Sequence, residues 1–229
     1  MQIKRTPLLA LVILLTATIS VRADKVDDYV KAEMEKQHVP GISVANDKPA
    51  TSSAKATATF EEVKSRCLKG IDDRQARLAR LATKVGEAAD EHDPALLAII
   101  VTSQSGLIAI KAAIETNTSD LIALKRDCQR IITDLRIYAL RVPQINLVMS
   151  IDKLDAAMAK LATLQDELPP LLVDKLGTAT AKIDGIDVAG LLAITPAGYN
   201  VDKKVLNPYL QSVRSARSDL EKISQFAKQ

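Results

Sequence analysis

Asp120–Leu154 reads "DLIALKRDCQRIITDLRIYALRVPQINLVMSIDKL". Leu121, Leu124, Cys128, Ile131, Leu135, Tyr138, Val142 and Ile145 recur at alternating steps of three and four. That period belongs to an α-helix with one apolar seam, of the kind found in coiled coils. A continuous helix of over three heptads would be roughly 36 Å long at ~1.5 Å per residue. Pro143 lies inside the pattern. It lacks a backbone N–H and crowds the carbonyl of Ala139, so the spacing predicts a kink there rather than an end. Beyond it the stripe resumes in a shifted phase through Leu147, Ile151, Leu154, Met158, Leu161 and Leu168.

The segments on either side follow the same period. Phe60, Val63, Cys67, Ile71, Leu78, Leu81 and Val85 predict a first helix from Phe60 to about Ala89. Leu96, Ile100, Leu107, Ile110 and Ile114 predict a second, with Asp93 before Pro94 as its start signal. Thr118 or Ser119 is expected to cap the third. Leu171–Ile183 suggests a shorter helix, and "GIDVAGLLAITPAGYN" (185–200) is apolar and then turn-like. Asn207-Pro208 opens a last helix with Leu210, Val213, Leu220 and Ile223 inward. Composition agrees. The chain is 47% hydrophobic but only 3% aromatic, so its core is built of Ala, Leu, Ile and Val, a palette suited to helix packing. The expected fold is therefore all-α: an elongated antiparallel helical bundle over residues 60–229 with a long, proline-kinked third helix.

The N-terminus differs in kind. Lys4 and Arg5 precede an apolar run of about 14 residues, Pro7–Ser20, and Val21-Arg22-Ala23 supplies small residues before a cut. Residues 1–23 read as a cleaved signal peptide, because the run is short of the ~20 residues that span a bilayer. No membrane span is expected after cleavage. Removing Lys4, Arg5 and Arg22 leaves 28 basic against 28 acidic residues, which gives no nucleic-acid footprint. Residues 24–59 read as a leader and flexible linker, since "NDKPATSSAKATAT" (46–59) has no apolar period.

Both cysteines, Cys67 and Cys128, lie in the exported part. An even pair outside the cytoplasm is read as a disulfide. If helices one to three alternate in direction, Cys67 and Cys128 sit at similar heights on parallel helices. A bridge with Cα atoms ~6 Å apart is then expected, with helix two clipped between its neighbours.

Residues carrying chemistry are sparse. His38 and His92 are far apart and have no partners at metal-ligand spacing, so neither a metal nor a cofactor is expected. The chain has no Gly-rich phosphate loop, and Gly86 and Gly106 read as packing or fraying points.

"DKVDDYVKAEMEKQHVPGISVAN" (24–46) resembles the N-terminus of the β-lactamase-related serine hydrolases and penicillin-binding proteins. The resemblance implies a Ser-x-x-Lys nucleophile with later Tyr-x-Asn and Lys-Thr-Gly elements. "SSAK" (Ser52–Lys55) and "SIDK" (Ser150–Lys153) match the first. The later motifs do not follow: Lys175–Thr178 reads "KLGT", and Tyr199-Asn200 lacks the spacer. Ser150, inside a helical run, is expected to bond a backbone carbonyl instead. No catalytic residue is assigned. A hydrolase remnant or fusion is the alternative reading.

Residues 60–227 resemble an uncharacterised family of exported bacterial helical proteins. The likeness rests on the two cysteines, Tyr138-Ala139-Leu140, Pro143 within a helix, and Thr195-Pro196 with Tyr199-Asn200. It implies an exported all-α protein and supplies no catalytic residues. The expectation is a non-enzymatic binding or structural protein, secreted or at the cell envelope. The helical seam is read first as structural core, with a protein partner or a second copy meeting it as the alternative should it be only partly covered.

Overall fold

The computed structural model describes residues 59–226. The signal sequence, the hydrolase-like stretch, His38 and Ser52 fall outside them. The described residues are all-α and contain no strand. The helices are α1 (Phe60–Ala88), α2 (Asp93–Thr116), α3 (Leu121–Thr133), α4 (Val142–Ala162), α5 (Pro170–Asp184), α6 (Val188–Ala193), α7 (Pro196–Val201) and α8 (Asn207–Phe226). A π-helical turn, Ile137–Arg141, leads into α4, and a short 3₁₀ turn, Gln165–Glu167, follows it.

Helix α1 starts where the apolar period starts. Thr59 closes a capping box: its hydroxyl accepts from the Glu62 N–H, and the Glu62 carboxylate accepts from the Thr59 N–H. Helix α2 runs back alongside α1. Lys64, near the start of α1, donates to the Glu115 and Asn117 carbonyls at the end of α2, 3.0 and 2.7 Å away. Lys111 donates to Asp72 at 2.8 Å between the same two helices. Two start signals sit elsewhere than expected. His92 is the N-cap of α2, while Asp93 lies inside the helix and turns its carboxylate back to the Asp90 N–H. Asp120, not Thr118 or Ser119, caps α3, accepting from the Ile122 and Ala123 N–H groups. A carboxylate at the dipole's positive end is favoured there over a hydroxyl one or two residues earlier.

Residues 121–162 form one long bent helix, but its break precedes Pro143. Helix α3 ends at Thr133, and Arg136 adopts the left-handed conformation, φ 47° and ψ 38°. The π turn follows, with the Arg141 N–H reaching the Arg136 carbonyl and the Val142 N–H reaching Ile137, five residues back in each case. This widened turn ends two residues before Pro143, the residue with no N–H to continue the ladder. The bend thus begins about two turns upstream of the proline, and the predicted straight run of 36 Å is not formed. The seam survives it. Leu124, Ile131, Val142 and Ile145 are buried, and Leu121, Cys128, Leu135 and Tyr138 pack against the core from partly buried positions.

One contiguous core joins all the long helices. Ile71, Leu78, Leu81 and Val85 of α1 face Leu96, Ile100, Leu107, Ile110 and Ile114 of α2. Helix α4 has the broadest buried surface and links this pair to α5 and α8. Helices α5 and α8 pack along one another and are tied by Lys182, which donates to Asp219 at 2.6 Å and to Ser215 at 2.8 Å. Gly106 is a packing point: a Cβ there would stand 2.6 Å from Leu135 Cδ2, at the bend.

Candidate functional site

The cysteine pair is brought together as expected. Cys67 on α1 and Cys128 on α3 form a disulfide, with Cα atoms 5.7 Å apart. Helix α2 packs against both helices that the bridge joins. A paired cysteine is compatible with an oxidising, exported location.

Ser150 is not poised as a nucleophile. Its hydroxyl donates to the Asn146 carbonyl at 2.7 Å, one turn back on its own helix. Lys153 is exposed.

His92 has a role that its isolation in sequence hides. From the N-cap of α2 its Nδ1 lies 2.6 Å from Asp152 Oδ1 on α4. The Asp152 side chain is 7% exposed and that of His92 27%. With the carboxylate ionised, Nδ1 carries the proton and donates. Burial holds the Asp152 carboxyl above the usual carboxylate range, and the His92 hydrogen bond works against that shift. Asp155 is raised too, by burial and then by Asp184. One oxygen each of Asp93 and Asp152 is buried without a hydrogen-bond partner. Among the described residues no three His, Cys, Asp or Glu side chains are grouped to hold a metal ion. The His92–Asp152 hydrogen bond ties the α1–α2 turn to α4.

Sequence reasoning also missed a corner where the π turn meets α6 and α7. Gln144, fully buried, donates to the Leu191 carbonyl at 2.6 Å and to that of Leu192 at 3.2 Å. Arg141 donates to the Gln144 side-chain oxygen and the Ile194 carbonyl, and burial lowers its pKa. These bonds add side-chain donors at the carbonyl end of α6, where the Ile194 N–H also reaches the Leu191 carbonyl. Beside them Tyr199 of α7 lies under two cations, the Arg136 guanidinium at 5.9 Å and Lys203 Nζ at 4.9 Å from the ring centroid. Tyr199-Asn200 and the stretch around Pro143 stand out in the sequence, but nothing there joins them; an arginine in a left-handed turn leaves no sequence signal.

The third feature is a surface. From Pro94 to Ile110 helix α2 carries no charged residue. Its inner stripe is core, while Val101 and Ile108, seven residues apart, are each 58% exposed. Ala98, Ser105, Ala109 and Ala112, all exposed, share that outer side. Helix α2 is long and apolar enough to cross a membrane by composition, with mean hydropathy 1.7, yet its inner residues are committed to α1 and α3.

Comparison of the chain with protein-family models, with curated proteins and with solved structures finds no match.

Proposed function

We propose that this is an exported, non-enzymatic helical protein that acts by association, and that a second copy of the chain covers the outer face of α2. Support for export comes from the N-terminal pattern of basic, apolar and small residues and from the disulfide. The observation that carries the association is the uncharged outer side of α2. On the outer sides of the adjoining α1 and α3, Lys69, Asp73, Lys125 and Arg126 meet solvent instead. The face is self-complementary. Val101 and Ile108 project one heptad apart with small residues beside them, the spacing that knobs-into-holes packing uses. The seam of α3, the surface expected from the sequence, is occupied by the protein's own core.

The test is sedimentation velocity of the full chain from about 1 to about 100 µM, a range that covers weak and moderate dimers. The wild type is expected to associate. The double variant Val101→Lys, Ile108→Lys is expected to remain monomeric with unchanged helicity, since both positions are exposed. A wild type that stays monomeric throughout, or a double variant that associates equally, would refute the reading. The acyl-hydrolase alternative requires an acylated Ser52 or Ser150. Intact mass after exposure to a penicillin and a fluorophosphonate is expected to show no adduct.

A further inference from the structure

Two of the sequence marks noted above, Tyr138–Pro143 and Thr195–Asn200, are more than fifty residues apart. The fold brings their surroundings to one corner. Arg136 Nε donates to Asn200 Oδ1 at 2.6 Å, and Lys203 Nζ donates to the same oxygen at 3.1 Å. The Asn200 amide is oriented by its other end, where Nδ2 donates to the Thr133 carbonyl at 3.0 Å. Two positive groups are therefore held against one neutral oxygen and one aromatic ring.

Several other surface cations meet acids, while Lys64 is spent on two backbone carbonyls. Lys111 meets Asp72, Lys182 and Lys222 meet Asp219, and Arg130 lies between Asp127 and Asp134. Among the described residues no carboxylate lies within ion-pair distance of Arg136 or Lys203. The backbone bears a cost here as well, because a residue with a Cβ is disfavoured in the left-handed region that Arg136 occupies. Local strain and like-charge repulsion converge on one point, and the groups that face the two cations, the Asn200 oxygen and the Tyr199 ring, are neutral. Desolvation and the Arg136 charge also lower the Lys203 pKa.

We propose that this corner binds a phosphate-type oxyanion, with Arg136 and Lys203 as its ligands. A guanidinium has five N–H donors in a fork, and Arg136 uses one of them on Asn200. Lys203 has three and uses one on the same atom. The donors left over match a tetrahedral anion with several oxygens. Two adjacent positive charges suit the dianion of a phosphate monoester better than a singly charged carboxylate. The Tyr199 ring keeps both cations in place before the anion arrives, which limits the ordering cost of binding.

The test follows backbone amides and Arg Nε–H signals of the ¹⁵N-labelled full chain by NMR, at constant ionic strength. Inorganic phosphate is titrated, with acetate as comparator. Saturable shifts confined to residues 133–144 and 194–204 are expected, and weaker ones with acetate. Arg136→Gly is the decisive variant, because glycine takes the left-handed conformation freely and the fold is kept. It and Lys203→Gln are each expected to weaken binding about tenfold, the scale of one charge-assisted contact. Lys160→Gln, an exposed lysine on α4, should bind as the wild type does. Shifts that never saturate, that spread over all basic residues, or that persist in both corner variants would overturn the site. Flotation with vesicles of phosphatidylcholine, alone or mixed with phosphatidic acid, separates the sources of the anion. Binding to free phosphate without flotation means a soluble phosphate ester. Flotation that needs phosphatidic acid and is lost in Arg136→Gly means a lipid headgroup. Silence in both assays, or flotation lost only in Val101→Lys, Ile108→Lys, refutes the proposal.

Discussion

Reducing Cys67–Cys128, or replacing both residues by alanine, removes the covalent link between α1 and α3. The bridge closes a loop across a separation of 61 residues. In the unfolded chain that closure forbids most relative positions of the two ends. The chain-entropy relation then gives about 4 kcal/mol of stabilisation at 25 °C. Native contacts change little, since both side chains are only partly buried and α1, α2 and α3 pack through Ile71, Leu78, Leu96, Ile100, Leu107, Leu124 and Ile131 regardless. For a folded unit of this size the loss corresponds to a melting temperature lower by about 8–16 °C. The assay is thermal unfolding by far-UV circular dichroism, with and without reductant, on the wild type and on Cys67→Ala, Cys128→Ala. The reduced wild type and the double variant should melt together, both below the oxidised protein, and reductant should leave the double variant unchanged. Coincident curves for oxidised and reduced wild type would refute the argument. So would an oxidised intact mass equal to the reduced one.

His92→Ala strips the buried Asp152 carboxylate of the hydrogen bond it accepts at Oδ1, an expected loss of about 1–3 kcal/mol at pH 7. The folded pKa of Asp152 is raised, so its contribution is fully present below the unfolded value and lost as pH rises through the folded one. The deficit of His92→Ala in urea unfolding should therefore shrink on acidification toward pH ~4. Asp152→Asn, which removes the charge but keeps an acceptor, should be the milder change at pH 7; the reverse order would refute the tie. Two glycines should behave oppositely. Gly86→Ala meets nothing within 4 Å and should stabilise by about 0.5–1 kcal/mol through helix propensity. Gly106→Ala gains the same propensity but must displace Leu135, so equal stabilisation at both sites would contradict the packing at the bend.

Periodic features were legible in the sequence because burial imposes them. The stripes of α1, α2 and α8 and the meeting of Cys67 with Cys128 all follow from an apolar face turning inward every 3.6 residues. The seam of 121–145 stayed legible across a break that was not. A left-handed arginine has no sequence signature of the kind glycine supplies, so Pro143 attracted the kink that Arg136 and the π turn carry. Caps slipped by a residue or two because several acceptors stood in a row, and backbone geometry chose among them. His92 and Asp152, sixty residues apart, and Gln144 with the carbonyls of α6 were invisible because long-range polar contacts have no period.

The same distinction bears on function. Among the described residues, two that suggest catalysis are bound into the fold: Ser150 to the carbonyl of Asn146, and His92 to Asp152. A nucleophile needs its hydroxyl released toward a base, and a metal needs three converging donors; the described residues bring neither together. Two surfaces of the described residues stand out as ones the fold leaves incomplete. The outer side of α2 exposes Val101 and Ile108 without a neighbour to cover them, and the α7 corner gathers cations without an acid to neutralise them. Each is incomplete in a way that a bound partner would complete, one by removing apolar surface from water and the other by supplying negative charge. They also respond to opposite conditions. Raising salt should strengthen contact through α2 and weaken anion binding at Arg136, so ionic strength alone can tell which surface carries a given interaction.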